Sequence, residues 1–440
     1  MLIDPLKKAV GHEKKLEVTP DRVNSAVSEI IGYLINFHAD LLVDVQSKSA
    51  NNKNIERIMR EKIYRDHIHI NIDVNELVKK VLDRLFGYHI LQKYIDDKNV
   101  SDIRVLNWDN IHIKRKGKWI RTKDRFSEPA DYNNFVRYCV LKNKGKITEE
   151  KPIVVVSDRK NKLRIEAGIP PVNINSPNLV IRVHRPEFFT RLDELYSGDS
   201  YMMNLEIYNF LLKAITAGCS IIISGKGGSG KTTLMRALVD KIPENLAITS
   251  NEETAELFSH HPNIIQRQIL GNREASRNIT LESLTSQALL MTNDVIVVGE
   301  LKGAEAMVFF DAVSTGHRAY ATVHSDSAEM TLDRLVTLMK RDPQAQMYSE
   351  QYLKELLADS VDLIVYMKNF KVAEISEIIL DKQKGTVNYN YLFKYKTKEI
   401  IDGESKGLFL KVQEPKQKVK QRLEISRKEF QRIYGGVAIE

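Results

Sequence analysis

The first part of the chain carries apolar residues at the spacing of amphipathic helices. These residues recur three or four positions apart in two groups: Ile30, Ile31, Leu34 and Ile35, then Leu77, Val78, Val81, Leu82 and Leu85. A polar run at 47–54 separates the two groups. Side chains three or four residues apart lie on one face of a helix, so the pattern predicts a helical N-terminal extension over residues 1–85.

The next hundred residues change to short runs in which apolar and polar residues alternate. Such alternation places the apolar side chains on one face of a β-strand. Five strands are predicted in this way, over residues 103–106, 111–114, 119–121, 163–169 and 179–184. A helical stretch near 132–141 lies among them. The pattern predicts a smaller mixed α/β domain at 86–190, followed by a linker at 191–206.

From Ile207 to Arg341 the strand and helix signals alternate strictly. This order is typical of an α/β domain with a mostly parallel, doubly wound sheet. β character returns from about residue 362, and a basic tail follows the last strand that we predict. The strands predicted in this extension cover residues 364–367, 372–380 and 387–393. We therefore expect one α/β domain over 207–440 with a C-terminal β extension.

One segment of this domain combines an apolar strand, a glycine-rich loop and the start of a helix. It runs IIISGKGGSGKTTL from Ile221 to Leu234 and matches the phosphate-binding P-loop in full. Glycines let backbone N–H groups surround a phosphate, and the positive end of the following helix points to the same place. The predicted nucleotide-binding residues are Gly225, Gly227, Gly228, Ser229, Gly230, Lys231, Thr232 and Thr233.

Two residues of this loop have distinct chemical roles if it binds ATP with Mg²⁺. Lys231 would reach the β- and γ-phosphates, and the Thr232 hydroxyl would ligate the metal. The alternatives are a glycine-rich surface loop without a ligand, or a P-loop that binds nucleotide and no longer hydrolyses it.

Acidic residues follow two predicted strands at the edge of the sheet that carries the P-loop. In open parallel sheets ligands bind beyond the carboxyl ends of the strands. Glu300 follows the strand at 295–298, where a carboxylate can orient a water or accept its proton. The alternative is a solvated glutamate at the start of a helix over 304–313. Glu252 and Glu253 follow the strand at 246–249, and they either assist the chemistry, Glu253 as a metal ligand, or cap the next segment.

Two histidines lie at the two ends of the predicted strand at 319–323. His324 follows the strand and His317 precedes its entering turn. A neutral imidazole both donates and accepts hydrogen bonds, so His324 at the P-loop edge can sense a γ-phosphate. We include both histidines among the candidate catalytic residues, although a single histidine usually has a structural role.

Amino-acid composition indicates the cellular compartment of the protein but does not identify its function. Of the 440 residues 42% are apolar, and the formal net charge of +8 is too diffuse to identify an anionic partner. Cys139 and Cys219 are too few for a disulfide framework or a four-thiolate zinc site, so a reducing cytoplasm is expected. No signal peptide and no run of about 18 apolar residues is recognised, so we expect any membrane association to be peripheral.

Four motifs in their order resemble those of the secretion ATPase superfamily of type II and type IV secretion and pilus machines. They are the P-loop, an acidic box EETAEL from Glu252, a Walker B segment VIVVGELKG from Val295, and a histidine box STGHRAYATVHS from Ser314. The segments at 86–105 and 164–171, and Ile181-Arg182, are similar to the N-terminal domain of the family. Within the superfamily the chain looks most like the Tad/Flp pilus branch called CpaF.

The resemblance implies a RecA-like ATPase domain and a hexameric ring with ATP and Mg²⁺ bound between two domains. Arg164 and Arg182 match arginines of the N-terminal domain that close on the nucleotide. It also implies a cytoplasmic motor, peripheral at the inner face of the cell membrane, with inner-membrane platform proteins as partners. Its function would be to power pilus assembly or protein secretion, with conjugation or type IV secretion as the alternative.

The chain departs from the family pattern at several positions. Asn251-Glu252-Glu253 stands where the family has Ile-Glu-Asp, and Lys302 stands where it has arginine. The arginine that precedes Walker B is absent from 290–293, and so is the tetracysteine zinc insertion of the extension motors. Arginine and lysine differ at bidentate contacts, so altered turnover or a non-hydrolysing switch stays open. A nucleic-acid-stimulated translocase is a further alternative, because basic runs occur at 114–121 and 416–432, but direct nucleic-acid binding is not expected.

Overall fold

The computed structural model describes ten segments of the chain. They are residues 20–38, 41–42, 53–66, 72–115, 117–184, 191–196, 201–269, 279–401, 404–416 and 418–424. The polar run at 47–54, the linker at 191–206 and the basic runs at 114–121 and 416–432 lie partly outside these residues. The chain divides into two compact units, Met1–His184 and Arg185–Glu440.

The first unit begins with helices, as its periodicity predicts. Among the described residues of the predicted extension, the helices are α1 Pro20–Phe37, α2 Lys53–Arg65 and α3 Val74–Leu85. Asp73 caps α3, since its carboxylate accepts the N–H of Asn75 at 2.7 Å and so satisfies one of the helix's free donors. Apolar faces of the three helices share one cluster with Leu34, Met59 and Val81 fully buried.

A six-stranded antiparallel sheet forms the rest of the first unit. Its strands are β1 Val100–Asn107, β2 Asn110–Arg115, β3 Lys118–Arg121, β4 Ile153–Asp158, β5 Leu163–Gly168 and β6 Asn178–Val183. They lie in the order β3-β2-β1-β6-β5-β4, and the short α4 Gln92–Asp96 and the longer α5 Pro129–Lys142 accompany them. Strand β4 is absent from the prediction, because its apolar residues run consecutively and such a run has no clear period of two.

A nine-stranded sheet organises the second unit. Its strands are β7 Ile221–Gly225, β8 Ile248–Glu252, β9 Ile264–Gln268, β10 Val295–Leu301, β11 Arg318–Val323, β12 Leu363–Lys368, β13 Lys371–Asp381, β14 Thr386–Ile401 and β15 Glu404–Lys411. Their order is β15-β14-β13-β12-β7-β11-β10-β8-β9. The pairs from β12 to β9 are parallel and those from β12 to β15 antiparallel. The mostly parallel α/β sheet is therefore confirmed, whereas β9 and β15 are additions to the predicted strands.

Helices cover both faces of this sheet. They are α6 Leu205–Thr216, α7 Lys231–Val239, α8 Leu281–Leu289, α9 Glu305–Ser314, α10 Ala328–Met339 and α11 Glu350–Ser360. Ile221 and Ile223 pack into one apolar cluster and Ile222 into the other. A strand buried on both faces needs apolar residues at every position, which explains the uninterrupted run before the P-loop.

Helix α11 lies between the predicted strand–helix alternation, which ends at Arg341, and the β extension predicted from about residue 362, and it was not among the predicted elements. Ser349 caps this helix by accepting the N–H of Tyr352 at 3.1 Å, and Leu353 and Leu357, one turn apart, are buried. A capping serine followed by leucines one turn apart is a helical signal that is visible in the sequence itself. No described helix has both the length and the apolar character of a membrane span.

Candidate nucleotide-binding site

The P-loop connects the buried end of β7 to the start of α7. Strand β7 lies between β11 and β12, and Gly225 is paired with Met367 of β12. At Gly225, with φ of 148°, a Cβ atom would lie 2.3 Å from the carbonyl oxygen of Met367. Gly230, at φ of 98°, directly precedes α7. Only glycine fits both the close approach and the left-handed backbone, so the loop depends on these two residues.

Polar groups of the loop are buried in a way that suits a phosphate chain. The Lys231 side chain is 7% exposed and its Nζ donates to the carbonyl oxygens of Gly225 and Lys226, at 2.8 and 3.1 Å. The buried Ser229 hydroxyl has no hydrogen-bond partner among the described residues. An orphaned hydroxyl, a buried ammonium and a helix N-terminus at one loop are the groups that bind phosphate oxygens. The residues present therefore fit a nucleotide.

The electrostatic environment of Lys231 connects it to the acidic residue at the end of β10. Burial lowers the pKa of Lys231, and the nearby Glu300 carboxylate opposes that change. Thr232 and Thr233 follow it in the first turn of α7, and both are half-buried.

Four side chains from three adjacent strands meet at this edge. Lys302 Nζ donates to Glu253 Oε2 at 2.8 Å and lies 3.1 Å from Glu300 Oε2. His324 Nε2 lies 2.7 Å from the other oxygen, Glu300 Oε1. The last contact meets the distance of a hydrogen bond but not its angles, so this oxygen has no hydrogen bond in the structure. The parallel order β11-β10-β8 brings the ends of these strands together, as the sequence analysis expects for Glu253, Glu300 and His324.

The surroundings of Lys302 and His324 determine the protonation states of these two members of the cluster. Burial opposes protonation of Lys302, but the hydrogen bond to Glu253 and the charge of Glu300 outweigh it and raise the lysine pKa. Burial, followed by the charge of Lys231, lowers the pKa of His324 although Glu300 acts in the opposite direction. At neutral pH the site therefore has a charged Lys302 and a neutral His324. A neutral imidazole can donate to a carboxylate or accept from a water.

Glu252 has a different environment from its neighbour Glu253. It is 4% exposed, and its Oε1 accepts the N–H groups of Glu256 and Leu257 at 3.1 and 2.9 Å. Burial raises its pKa to about 7. Of the two roles open for Glu252 in the sequence, these contacts correspond to capping of the following segment.

Glu305, the first residue of helix α9, binds the turn that precedes the helix. Its carboxylate accepts the N–H groups of Lys302 and Gly303, at 2.5 and 2.7 Å. Glu300 belongs to β10 and contacts Lys302 and His324 instead. Glu300 thus has none of the contacts expected of a helix-capping residue.

The structure describes no ready-made metal cage. Among the described residues, no group of three or more His, Cys, Asp or Glu side chains is placed to hold a metal ion. Of the two predicted metal ligands, Glu253 is engaged by Lys302, and Thr232 is at the P-loop helix. Mg²⁺ with nucleotides usually takes one or two protein oxygens and completes its shell with phosphates and waters, so this donor set fits it.

His317 lies away from the cluster that contains His324. It precedes β11, and its Nδ1 is 3.2 Å from the Thr315 hydroxyl. A strand rises about 3.3 Å per residue, so the two histidines are roughly 20 Å apart. Within one chain the structure does not bring His317 to the Glu300 group.

The two predicted arginines of the first unit are neighbours. Arg164 of β5 is directly opposite Arg182 of β6, and Arg182 is opposite Asp102 of β1. Directly paired residues point to the same face, so the three form one polar row. Arg182 Nε donates to Asp102 Oδ1 at 3.1 Å. Asp102 was not among the predicted site residues, since nothing local in its sequence distinguishes it from a solvated aspartate.

Two residues that depart from the family pattern, Asn251 and Lys302, form side-chain contacts in the structure. Asn251 is fully buried, and its Oδ1 accepts from Arg267 Nε at 2.9 Å, which joins β8 to the edge strand β9. Lys302 forms the bridge between Glu253 and Glu300 described above. Lys302 was not among the predicted site residues, although its position within the Walker B segment, where the family has arginine, was a signal for it.

Comparison with known proteins finds one matching family model and related type IV secretion proteins. A family model described as type II/IV secretion system protein matches residues 86–368. The type IV secretion system protein VirB11 of Bartonella quintana (strain Toulouse) is 27% identical over 338 residues, covering 68% of this chain and 94% of that protein. VirB11 of Brucella suis biovar 1 (strain 1330) is 23% identical over 321 residues, 66% of this chain and 87% of that protein.

Among solved structures, the pilus retraction motor PilT with bound ADP is similar in fold. It aligns with a TM-score of 0.50 and 19% identity, covering 79% of this chain and 88% of that one. The family model spans both the antiparallel sheet of the first unit and the P-loop, Walker B and histidine segments of the second. The chain therefore belongs to the type II/IV secretion system protein family.

Proposed function

We propose that this protein is a cytoplasmic ATPase motor that hydrolyses ATP with Mg²⁺. The observation that supports it best is the position of Glu300, which approaches Lys302 and His324 at the P-loop edge of the sheet. A carboxylate held between a cation and a neutral imidazole is suited to orient a water and accept its proton.

Each residue of the site has a definite part in this proposal. The N–H groups of the loop and Lys231 bind the phosphates and stabilise the charge that develops on them. Glu300 orients the attacking water, and His324 reports the state of the phosphate through its contact with Glu300. Mg²⁺, held by Thr232 and assisted by Glu253 through water, would neutralise phosphate charge. Lys302 and Glu252 keep Glu253 and its segment in place.

The larger function that we propose is the powering of pilus assembly or protein secretion across a membrane. Family membership and the similarity to VirB11 support it. We further propose a homo-hexamer, peripheral at the inner face of the cell membrane, that pushes inner-membrane platform proteins. Arg164 and Arg182 are further candidate nucleotide-binding residues in that ring. The Tad/Flp pilus, with CpaF as the nearest branch, is the machine that we propose first.

Type IV secretion, including conjugation, is the second candidate. The observation in its favour is that the two relatives named above are both called type IV secretion system proteins. Deleting the gene and scoring surface pili and exported protein in the same strain would separate the two. Loss of pili with normal export would support the pilus machine, and the reverse result would support secretion.

Steady-state phosphate release with Mg²⁺-ATP tests the enzymatic proposal directly. Lys231→Ala removes the phosphate-binding ammonium, so we expect nucleotide binding and turnover to be lost together. Lys213→Ala, on the exposed face of α6, is the matched control and should behave as wild type. Native mass measurements with and without nucleotide would test the hexamer. Assembly with bound ATP and no phosphate release would instead favour a nucleotide switch.

A further inference from the structure

The turn between β12 and β13 has an unusual backbone next to the P-loop. Lys368 is paired with Lys371, so only Asn369 and Phe370 connect the two strands. Both have positive φ, 49° and 60°. Two-residue hairpins of this type favour Asn and Gly, because a bulky residue is strained in the left-handed region. Phe370 is therefore an outlier, and its position needs a reason other than the turn itself.

The ring of Phe370 lies against the last glycine of the P-loop. Its Cδ2 and Cε2 atoms are 2.8 and 3.1 Å from the place where a Cβ on Gly230 would be, and Met202 Cε is 3.0 Å from it. The turn is tied to that segment, since Val372 donates its N–H to the Met202 carbonyl at 2.9 Å. An aromatic surface is thus fixed beside the residue that opens the P-loop helix.

A cavity on the β12 side of the loop adjoins the same turn. Its volume is about 360 Å³, within the range of small-molecule sites. Its walls are residues 226–229 of the P-loop, Asp326, and the end of β12 with its turn, 366–369. Asn369 is exposed and lines it. Glu300 and His324 come from β10 and β11, on the opposite side of β7 from β12.

We propose that the Asn369–Phe370 turn is the nucleoside-binding part of the site, selective for a purine. A nucleotide with its phosphates in the P-loop must place its base and ribose next to that loop. The side of Glu300 is occupied by hydrolytic groups. The β12 side offers a cavity that the Asn369 amide lines, and the Phe370 ring lies one residue further along the turn, against Gly230. A base stacks on an aromatic ring, and an amide both donates to and accepts from base or ribose.

This inference rests on the proposed nucleotide binding and adds the recognition of the base. The matched family segment ends at residue 368, so the turn lies just beyond it. The competing explanation is that Phe370 only fills space, because it packs at the margin of the apolar cluster that contains Met202. Space filling would affect stability but not the preference of the site for a base.

Binding of ATP and of inorganic tripolyphosphate, measured by calorimetry on the full chain, separates these explanations. Tripolyphosphate has the phosphates without the nucleoside. Phe370→Gly removes the ring and suits the left-handed backbone, so the turn is retained. We expect this variant to bind ATP about tenfold or more weakly, the range of lost base stacking, and tripolyphosphate as wild type does. Its preference for ATP over UTP should fall in parallel.

Phe409→Ala is the matched control. Phe409 is also half-buried at the margin of the same apolar cluster, but its ring lies against Tyr395 and Tyr201, whereas the ring of Phe370 lies against Gly230. Its ratio of ATP to tripolyphosphate affinity should equal that of wild type. Equal weakening of both ligands in Phe370→Gly, or no weakening of ATP, would overturn the inference alone. ATP binding that Lys231→Ala leaves intact would overturn the proposed nucleotide site and the inference with it.

Discussion

His324 Nε2 and Glu300 Oε1 lie 2.7 Å apart, across the boundary between β11 and β10. The strands are also joined nearby, since the Thr322 hydroxyl donates to the Gly299 carbonyl at 2.6 Å. The backbone is thus fixed while the angle between imidazole and carboxylate does not meet that of a hydrogen bond. A small rotation of the ring would form that bond, so the pair is suited to respond to what binds at the P-loop.

Glu300→Gln should retain ATP binding and lose hydrolysis. The amide keeps the shape of the side chain but cannot accept a proton from water, and such a group typically contributes about 10²–10⁴-fold to a rate. Phosphate release and equilibrium binding of ATP on the same preparation check this. Glu244→Gln changes an exposed glutamate of the same unit and serves as the control. Normal turnover in Glu300→Gln would remove Glu300 from the mechanism.

Lys302→Ala should slow hydrolysis with little change in ATP affinity. Both side chains of the Lys302–Glu253 pair are about half exposed, so its loss costs about 1 kcal/mol, which corresponds to roughly fivefold in rate. Lys302→Arg should recover most of the activity, since the guanidinium also pairs with carboxylates.

The pH dependence of the same variant tests whether Lys302 acts through the site. The charge of Lys302 is one of the causes that lower the pKa of His324. Its removal should raise that pKa, so the acidic limb of the pH–rate profile should move to higher pH. If the acidic limb of the Lys302→Ala profile stays at the same pH as in wild type, Lys302 only supports the local fold.

Glu252→Gln should reduce the loss of folding stability that accompanies rising pH. Burial raises the pKa of Glu252 from 4.5 to about 7, so the folded state favours its protonated form. Its contribution to stability is present below about pH 4.5 and is lost as pH rises through 7. The unfolding free energy of Glu252→Gln relative to wild type should therefore increase by about 3 kcal/mol between pH 4.5 and 8.

Urea unfolding of Glu252→Gln, wild type and Glu244→Gln at several pH values measures this difference. Glu244→Gln is the control for the same substitution at an exposed position. A difference between Glu252→Gln and wild type that stays constant with pH would contradict the environment described for the Glu252 carboxyl group.

Asp362→Ala should destabilise the second unit strongly. This side chain is 0% exposed, accepts the Ser220 N–H at 2.8 Å, and pairs with Arg422 and Lys418 at 3.1 and 3.3 Å. Removing the carboxylate leaves the buried Ser220 N–H without its acceptor, which costs about 1–3 kcal/mol, and takes the counter-charge from two partly exposed cations.

Asp359→Ala is the matched control for Asp362→Ala. Asp359 pairs with Lys382 at 3.4 Å, and both side chains are well exposed, so about 1 kcal/mol or less is expected. Urea unfolding of both variants gives the comparison. Similar losses in the two would mean that the buried cluster around Asp362 does not anchor the C-terminal segment at 418–424.

The sequence by itself determines the P-loop and the edge of the sheet at which it lies. Contiguous residues make the loop, and glycine at Gly225 and Gly230 acts through its own backbone freedom. Placement of Glu253, Glu300 and His324 at the same edge also follows, since each lies within four residues of the end of an apolar run that is predicted to form a parallel strand. These properties depend on neighbours along the chain, and a sequence shows them directly.

Only the tertiary structure decides what each of those side chains touches. Glu252 and Glu253 are adjacent, yet one is buried on two backbone N–H groups and the other pairs with Lys302, 49 residues later in the chain. The presence of an asparagine at position 251 is likewise explained by its hydrogen bond with Arg267 of the neighbouring strand. The direction of a side chain at a strand end is set by register and by the partner that packs against it. Such contacts join residues far apart in sequence, so periodicity and spacing do not contain them.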